Sequence, residues 1–187
     1  MAHEDEYFEY LRRRSRLGLL YRRAWLYPRL SSHLRGVVLD IGCGIGDMLR
    51  HRPATIGVDV NRRTVEWCRQ NGLDAHVMEP DRLPFESNSF DGAVLDNVLE
   101  HLSNPEPLLG EAHRVLKRGG TLIAGVPGSR GYASDADHKV FYDANSLSML
   151  MQRSGFTRER IMQMPLPIPM LDRVMRQYCI YGVFRNG

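Results

Sequence analysis

The segment that most limits how this chain can fold is Val37–Gly46, Val-Val-Leu-Asp-Ile-Gly-Cys-Gly-Ile-Gly. Four of its first five residues are apolar and three are β-branched, which predicts a buried strand. Gly42, Gly44 and Gly46 then alternate with Cys43 and Ile45 before a short helix. Glycines lack Cβ, so a ligand can approach the backbone closely. The helix N-terminus adds free N–H donors and a partial positive charge. The spacing is G-x-G-x-G and not the G-x-G-x-x-G of dinucleotide sites. Asp40, two residues before the first glycine, suits a cation better than a pyrophosphate. Together these features favour a ligand with a ribose, an amino-acid amine and little or no phosphate.

A second apolar run, Thr55–Val60, ends in Asp59 and Val60, with Asp59 13 residues beyond Gly46. In a doubly wound sheet an acid at that strand end accepts hydrogen bonds from ribose hydroxyls.

These two stretches resemble the class I S-adenosylmethionine-dependent methyltransferases. The resemblance continues through Leu83-Pro84-Phe85, Asn88-Ser89-Phe90-Asp91 and Arg114–Gly120, and runs from Val37 to about Val126. It implies an α/β, Rossmann-like, doubly wound sheet of seven strands, mostly parallel with an antiparallel last strand, and helices on both faces. It also implies S-adenosylmethionine as cofactor, held by Asp40, Gly42, Cys43, Gly44, Gly46, Asp59 and Val60. Glu79 stands where the family places an acid for the adenine amino group. Pro80 follows it and cannot supply the family's backbone N–H contact, so Asp81 is a second candidate. Asp96 and Asn97 close the fourth strand beside the cofactor. The family's amino-methylating nucleic-acid enzymes carry Asn/Asp-Pro-Pro-aromatic at this point. Here the residues are Asp96-Asn97-Val98-Leu99, which argues against a base or amide nitrogen as acceptor.

The rest of the chain sets bounds. Its 187 residues suit one domain, with 1–36 as a helical lid or extension and 37–187 as the core. No apolar run matches a membrane span, and the N-terminus lacks the apolar stretch of a signal peptide. A cytoplasmic location follows by default. Cys43, Cys68 and Cys179 have no metal-binding or redox spacing, and no metal site is read from the sequence. A net charge of +3 does not point to nucleic acid, which is an unexpected partner. Of 25 basic residues only Lys117 and Lys139 are lysines. Codon bias accounts for that first; guanidinium recognition of phosphate or carboxylate is the alternative.

Along the chain, Tyr7–Leu34 interleaves apolar and basic residues and reads as helical, with Pro28 breaking or starting an element. Further helices are expected over Asp47–Arg52, Asn61–Asn71, from Asn104-Pro105 to Arg118, and over Asn145–Arg153. Lys117-Arg118 would oppose the dipole of the third of these, and Gly119-Gly120 would end it. Strands are expected at Ala75–Met78, Phe90–Asp96, Thr121–Val126, Phe156–Met164 and Tyr178–Phe184. Three prolines between Pro165 and Pro169 predict a stiff extended loop.

Methyl transfer to a hydroxyl needs a base. His101 follows the fourth strand and His138 the fifth, at the edge where such sheets bind ligands. Tyr132, Tyr142 and Arg130 are possible acceptor contacts. Two readings stay open. One is a methyltransferase acting on a small-molecule, lipid or glycan acceptor, at oxygen. The other is a non-catalytic protein of the same fold that binds a partner through its arginine-rich N-terminus. The oligomeric state is not legible.

Overall fold

The computed structural model describes residues 2–13 and 15–187; Met1 and Arg14, counted above in the N-terminal segment, lie outside the described residues. The first apolar run forms β1 (Val38–Ile41), with all four residues buried. It lies between β2 (Thr55–Asp59) and β4 (Phe90–Asp96), parallel to both. With β3 (Ala75–Val77), β5 (Leu116–Pro127), β6 (Phe156–Met164) and β7 (Cys179–Asn186) the sheet order is 3-2-1-4-5-7-6. β7 runs antiparallel to both β5 and β6. The expected doubly wound sheet with an antiparallel last strand is present, and its order reverses between β1 and β4. That reversal opens a crevice at the carboxyl ends of the strands, where ligands bind in such sheets.

Helices cover both faces because each face is apolar and must be buried. On one face α6 (Glu106–Val115) and α8 (Ala144–Arg153) place Leu108, Leu109, Ala112, Leu147 and Met151 against Leu39, Leu95 and Leu122. On the other, α3 (Tyr27–Ser31) and α4 (Asp47–His51) bring Tyr27, Leu30 and Met48 onto Val38, Val94 and Val183. α5 (Arg62–Gln70), capped by the Asn61 side chain on the N–H groups of Arg63 and Thr64, closes a smaller cluster of Cys43, Leu49, Val65 and Cys68.

The N-terminal helical stretch is segmented. α1 (Ala2–Arg12) is followed by α2 (Arg16–Tyr21), which Ser15 caps, then by a π-helical turn over Arg22–Leu26 and by α3. Pro28 follows the π-helical turn within a backbone that stays helical from Arg16 to Ser31, so it removes one donor from a continuous helix at that irregularity. Leu26, Tyr27 and Leu30 are at most 3% exposed. The last third of the segment is therefore core, although the sheet is complete without it.

The helix α6 ends at Val115, earlier than its sequence suggests. Leu116 already pairs with Phe90, and the ladder resumes at Thr121 with Gly92, so Lys117–Gly120 bulge out of β5. Lys117 Nζ meets Asp91 Oδ1 at 2.7 Å and does not serve the helix dipole. After β5 come a short helix, α7 (Ser129–Tyr132), and, within the proline-rich loop, α9 (Leu171–Val174), both unforeseen. They are tied together: the Ser129 N–H and hydroxyl donate to the Asp172 carboxylate at 2.6 and 2.7 Å. Leu166, Ile168 and Met170 in that loop are exposed.

The loop carrying His138 is anchored at its far end by a capping box. The Asp143 carboxylate accepts from the N–H groups of Asn145 and Ser146, and the Ser146 hydroxyl bonds back to the Asp143 N–H. Asp143→Ala should lower stability by about 1 kcal/mol in urea unfolding, and Asp143→Ser by much less. Equal losses would show that the cap is not what holds α8.

Candidate active site

The glycine loop leaves β1 with its first turn fixed by the sheet: the N–H groups of Gly42 and Cys43 both donate to the Val58 carbonyl, at 2.8 and 2.9 Å. Gly42, Gly44 and Gly46 have φ of 79°, 52° and 78°. At Gly42 a Cβ would stand 2.6 Å from Val98 Cγ2, so both φ and space require glycine there. Gly46 is the N-cap residue of α4.

Asp59, 4% exposed, ties this loop to β2. Its Oδ2 accepts from the Gly44 N–H and its Oδ1 from the Asn61 N–H, both at 2.8 Å. Burial raises its carboxyl, and these donors oppose the rise. Val60, next in the chain, is half exposed over the same edge. Asp40, also 4% exposed, is pushed up to about 8, first by burial and then by the charges of Asp96 and Asp59. Cys43 is buried beside Gly57.

Asp96, at the end of β4, is held from two directions. Arg22 Nη1 reaches its Oδ2 at 2.8 Å, and the Tyr181 hydroxyl donates to its Oδ1 at 2.7 Å. Burial alone would depress the Arg22 guanidinium, but Asp96 and Tyr27 keep it charged. Asn97 follows in the left-handed region, φ 58°, with its amide on Asp96 Oδ1. Arg22 and Tyr181 were not singled out in the sequence. The arginine bias of the N-terminus was the available signal for Arg22; Tyr181 gave none, because its role follows from the pairing of β7 with β5 opposite Gly125.

The structure therefore brings Asp40, the glycines, Asp59, Val60, Asp96 and Asn97 to one edge. Glu79 and Asp81 stand farther out, past β3, and both are exposed. Glu79 pairs with Arg82 in an isolated bridge that forms the turn around Pro80.

The two histidines come together as well. The ring centroids of His101 and His138 are 4.7 Å apart. His138 Nδ1 lies 2.9 Å from the Tyr132 carbonyl, and the Tyr132 ring stacks on the imidazole. His138 Nε2 faces Glu100 Oε1 at 3.9 Å. Glu100 was missed in the sequence, although it adjoins His101. Burial pushes its carboxyl up to about 8, and burial and His138 lower the His101 imidazole. Tyr142 is buried near Glu100, whereas Arg130 is exposed and apart from these contacts.

The N-terminal segment lies over this edge. Leu11 of α1, 2% exposed, has its Cδ1 3.1 Å from where a Cβ on Gly44 would stand. Asp5 pairs with Arg63 of α5, Phe8 packs edge-on against Trp67, and the Trp25 indole donates to the Pro165 carbonyl at 3.0 Å.

The glycine cradle and the buried Asp40 and Asp59 stand at the switch point of a 3-2-1-4-5-7-6 sheet, where such folds take ligands. Comparison with known proteins agrees. Residues 39–124 match the family described as methyltransferase domain. A solved structure from Thermotoga maritima, a SAM-dependent methyltransferase described as a possible histamine N-methyltransferase, superposes with a TM-score of 0.76 at 22% identity, covering 97% of this chain and 98% of that one. An uncharacterised protein of Methanocaldococcus jannaschii is 33% identical over 126 residues, 64% of this chain and 62% of the relative. A tRNA (carboxymethyluridine(34)-5-O)-methyltransferase of Arabidopsis thaliana is 30% identical over 54% of this chain and 25% of its own length. The chain spans less than two thirds of these two relatives. Over residues 39–124, a little under half of its length, the chain is similar to methyltransferase domains, and its fold is that of S-adenosylmethionine-dependent methyltransferases. Among the described residues no helix is long and apolar enough to cross a membrane.

Asp40 and Glu100 give the cofactor-free protein a pH signature. Both keep their protons in the folded state up to about pH 8, whereas the unfolded chain releases them near pH 4. Folding is therefore favoured by the protonated forms: that contribution is whole below about pH 4, declines as pH rises, and is gone above about 8. The thermal midpoint should fall from about pH 4 to about pH 8 and level off above that, and Asp40→Asn and Glu100→Gln should each flatten the fall. A midpoint that rises over that range contradicts these environments.

Proposed function

We propose that the chain transfers the methyl group of S-adenosylmethionine to an oxygen of a small-molecule, lipid or glycan acceptor. The observation that carries this reading is the set of acids, Asp40 and Asp59 buried and Asp96 partly buried, around a glycine cradle with one neighbouring guanidinium. Burying charge without compensation is costly, and a cationic amino acid joined to a nucleoside supplies what this edge lacks. When bound, the cofactor supplies a methyl carbon activated for in-line displacement at sulfur.

The chain's own residues bind and position. Asp59 holds the loop through the Gly44 N–H and is placed to accept from ribose hydroxyls. Asp40 answers the ammonium group. Val60 offers an apolar wall to adenine, with Glu79 or Asp81 at the adenine edge, and Asp96 with Asn97 borders the reacting end. Leu11, Arg22 and Trp25 make the N-terminal segment a lid that excludes water within a single 1–187 domain. His138 supports proton removal from the acceptor: its Nδ1–H is committed to the Tyr132 carbonyl, which leaves Nε2 with a lone pair. His101 packs beside it.

The absence of a Pro-Pro-aromatic motif at Asp96–Leu99 and the +3 net charge favour a non-nucleic acceptor. The resemblance to a tRNA (carboxymethyluridine(34)-5-O)-methyltransferase supports an oxygen of a modified tRNA nucleoside as the second reading. The non-catalytic alternative explains neither the glycine cradle nor the paired acids.

Calorimetry should detect binding of S-adenosylmethionine and S-adenosylhomocysteine, with NAD silent. Asp59→Ala should weaken that binding by about 1.5–3 kcal/mol, the range for hydrogen bonds to charged groups. Equal binding of NAD overturns the cofactor reading. Labelled cofactor incubated with fractionated extract should mark an oxygen in a metabolite, lipid or glycan fraction. His138→Ala should cut that turnover by about 10²–10⁴-fold at unchanged cofactor affinity. Label confined to the tRNA fraction would favour the second reading; unchanged turnover in the variant would remove His138 from the chemistry.

A further inference from the structure

We infer that Glu100, His101 and His138 form a binding site for one divalent transition-metal ion. Their donor atoms all lie within 4.8 Å of one another. Nitrogen and oxygen ligands bind zinc at about 2.0–2.2 Å, so neighbouring ligands on one ion stand roughly 3–4 Å apart.

Two independent observations point to a cation there. First, the Glu100 side chain is 1% exposed, and neither of its oxygens has a hydrogen-bond partner. A buried carboxylate left so is costly, and a native fold satisfies it with a donor or an ion. Second, the tautomer of His138 is fixed against its neighbour. The Tyr132 carbonyl can only accept, so Nδ1 carries the proton and Nε2 presents a lone pair to Glu100 Oε1, 3.9 Å away. An imidazole whose far N–H is tied to a backbone carbonyl is the usual support of a metal-bound histidine. Asp135 Oδ2, also 3.9 Å from Nε2, adds negative charge at the rim.

The ligands come from two loops that the backbone already joins: the Lys139 and Val140 N–H groups donate to the Glu100 carbonyl at 2.7 and 3.1 Å. Glu100 and His101 sit in the 3₁₀ turn after β4, and His138 lies in the segment after β5. Two imidazoles and one carboxylate favour zinc, iron(II) or another late first-row ion over magnesium or calcium. An ion held there pins the loop between α7 and α8 to the end of β4. With the ion bound, His138 Nε2 is a ligand, and lowering the pKa of a hydroxyl passes to the ion. The site itself does not rest on the methyl-transfer reading.

The test is a titration of tag-free, metal-free full-length protein with Co²⁺, followed by visible absorption. One equivalent should develop a d–d band, and Zn²⁺ should displace it. Glu100→Gln and His138→Ala should each weaken Co²⁺ binding by at least about tenfold, with circular dichroism reporting the fold. Should a variant not fold, anomalous scattering from Zn²⁺-soaked crystals of the unaltered protein locates the ion. A peak among the three side chains supports the site; a peak elsewhere overturns it. Binding that is absent, or unchanged in Glu100→Gln, also overturns it. S-adenosylmethionine calorimetry on the same samples separates the two readings. Lost metal binding with retained cofactor binding defeats only the metal site, and the converse defeats only the cofactor.

Discussion

The structure depends on how this chain accommodates three acidic side chains, two of them buried, at one edge of its sheet. Asp40, Asp59 and Asp96 end or nearly end three adjacent parallel strands, so sheet geometry forces them together. Each is handled differently. Asp59 is satisfied by backbone N–H groups of the glycine loop and of α5's cap. Asp96 is paired with Arg22 and Tyr181. Asp40 receives no comparable cation and holds its proton instead. A pair of charges taken out of water is tolerated when geometry and further hydrogen bonds are good, and an unpaired one neutralises itself. Asp40 is therefore the group in the edge that a bound cation would most change.

This arrangement explains why the N-terminal segment matters beyond covering surface. Arg22 is delivered to Asp96 by the π-helical turn, and the same turn leads into α3, whose Tyr27 and Leu30 belong to the core. Folding the second face of the sheet and neutralising the edge are thus one event. Removing Arg22 would leave Asp96 beside Asp40 with hydrogen bonds from Tyr181 and Asn97 but without its cation.

Much of this was legible in the sequence, and the reasons differ by element. β1 and its glycines could be read because an apolar run ending in closely spaced glycines has few other uses. β6 was foreseen to the residue, and α5 by its Asn61 cap. The early end of α6 was not, because Lys117–Gly120 carry the chemistry of a helix end while the backbone uses them as a bulge, a choice made by pairing with Phe90 and Gly92. α7 and α9 were hidden because short helices have weak local signals and these two are held by a bond between them, Ser129 to Asp172. At the candidate site, residues following strands could be placed in advance. Arg22, Tyr181 and the Glu100 carboxylate could not, since their contacts cross from segments remote in sequence or depend on burial.

The central claim is that the acidic edge is built to receive a cation and that Asp40 gives up its proton when it does. Calorimetric titration of S-adenosylmethionine near pH 7, in two buffers of different ionisation enthalpy, measures that proton directly. The account predicts net proton release on binding in the unaltered protein and its loss in Asp40→Asn. Binding with no proton released, or release that persists in Asp40→Asn, would contradict it.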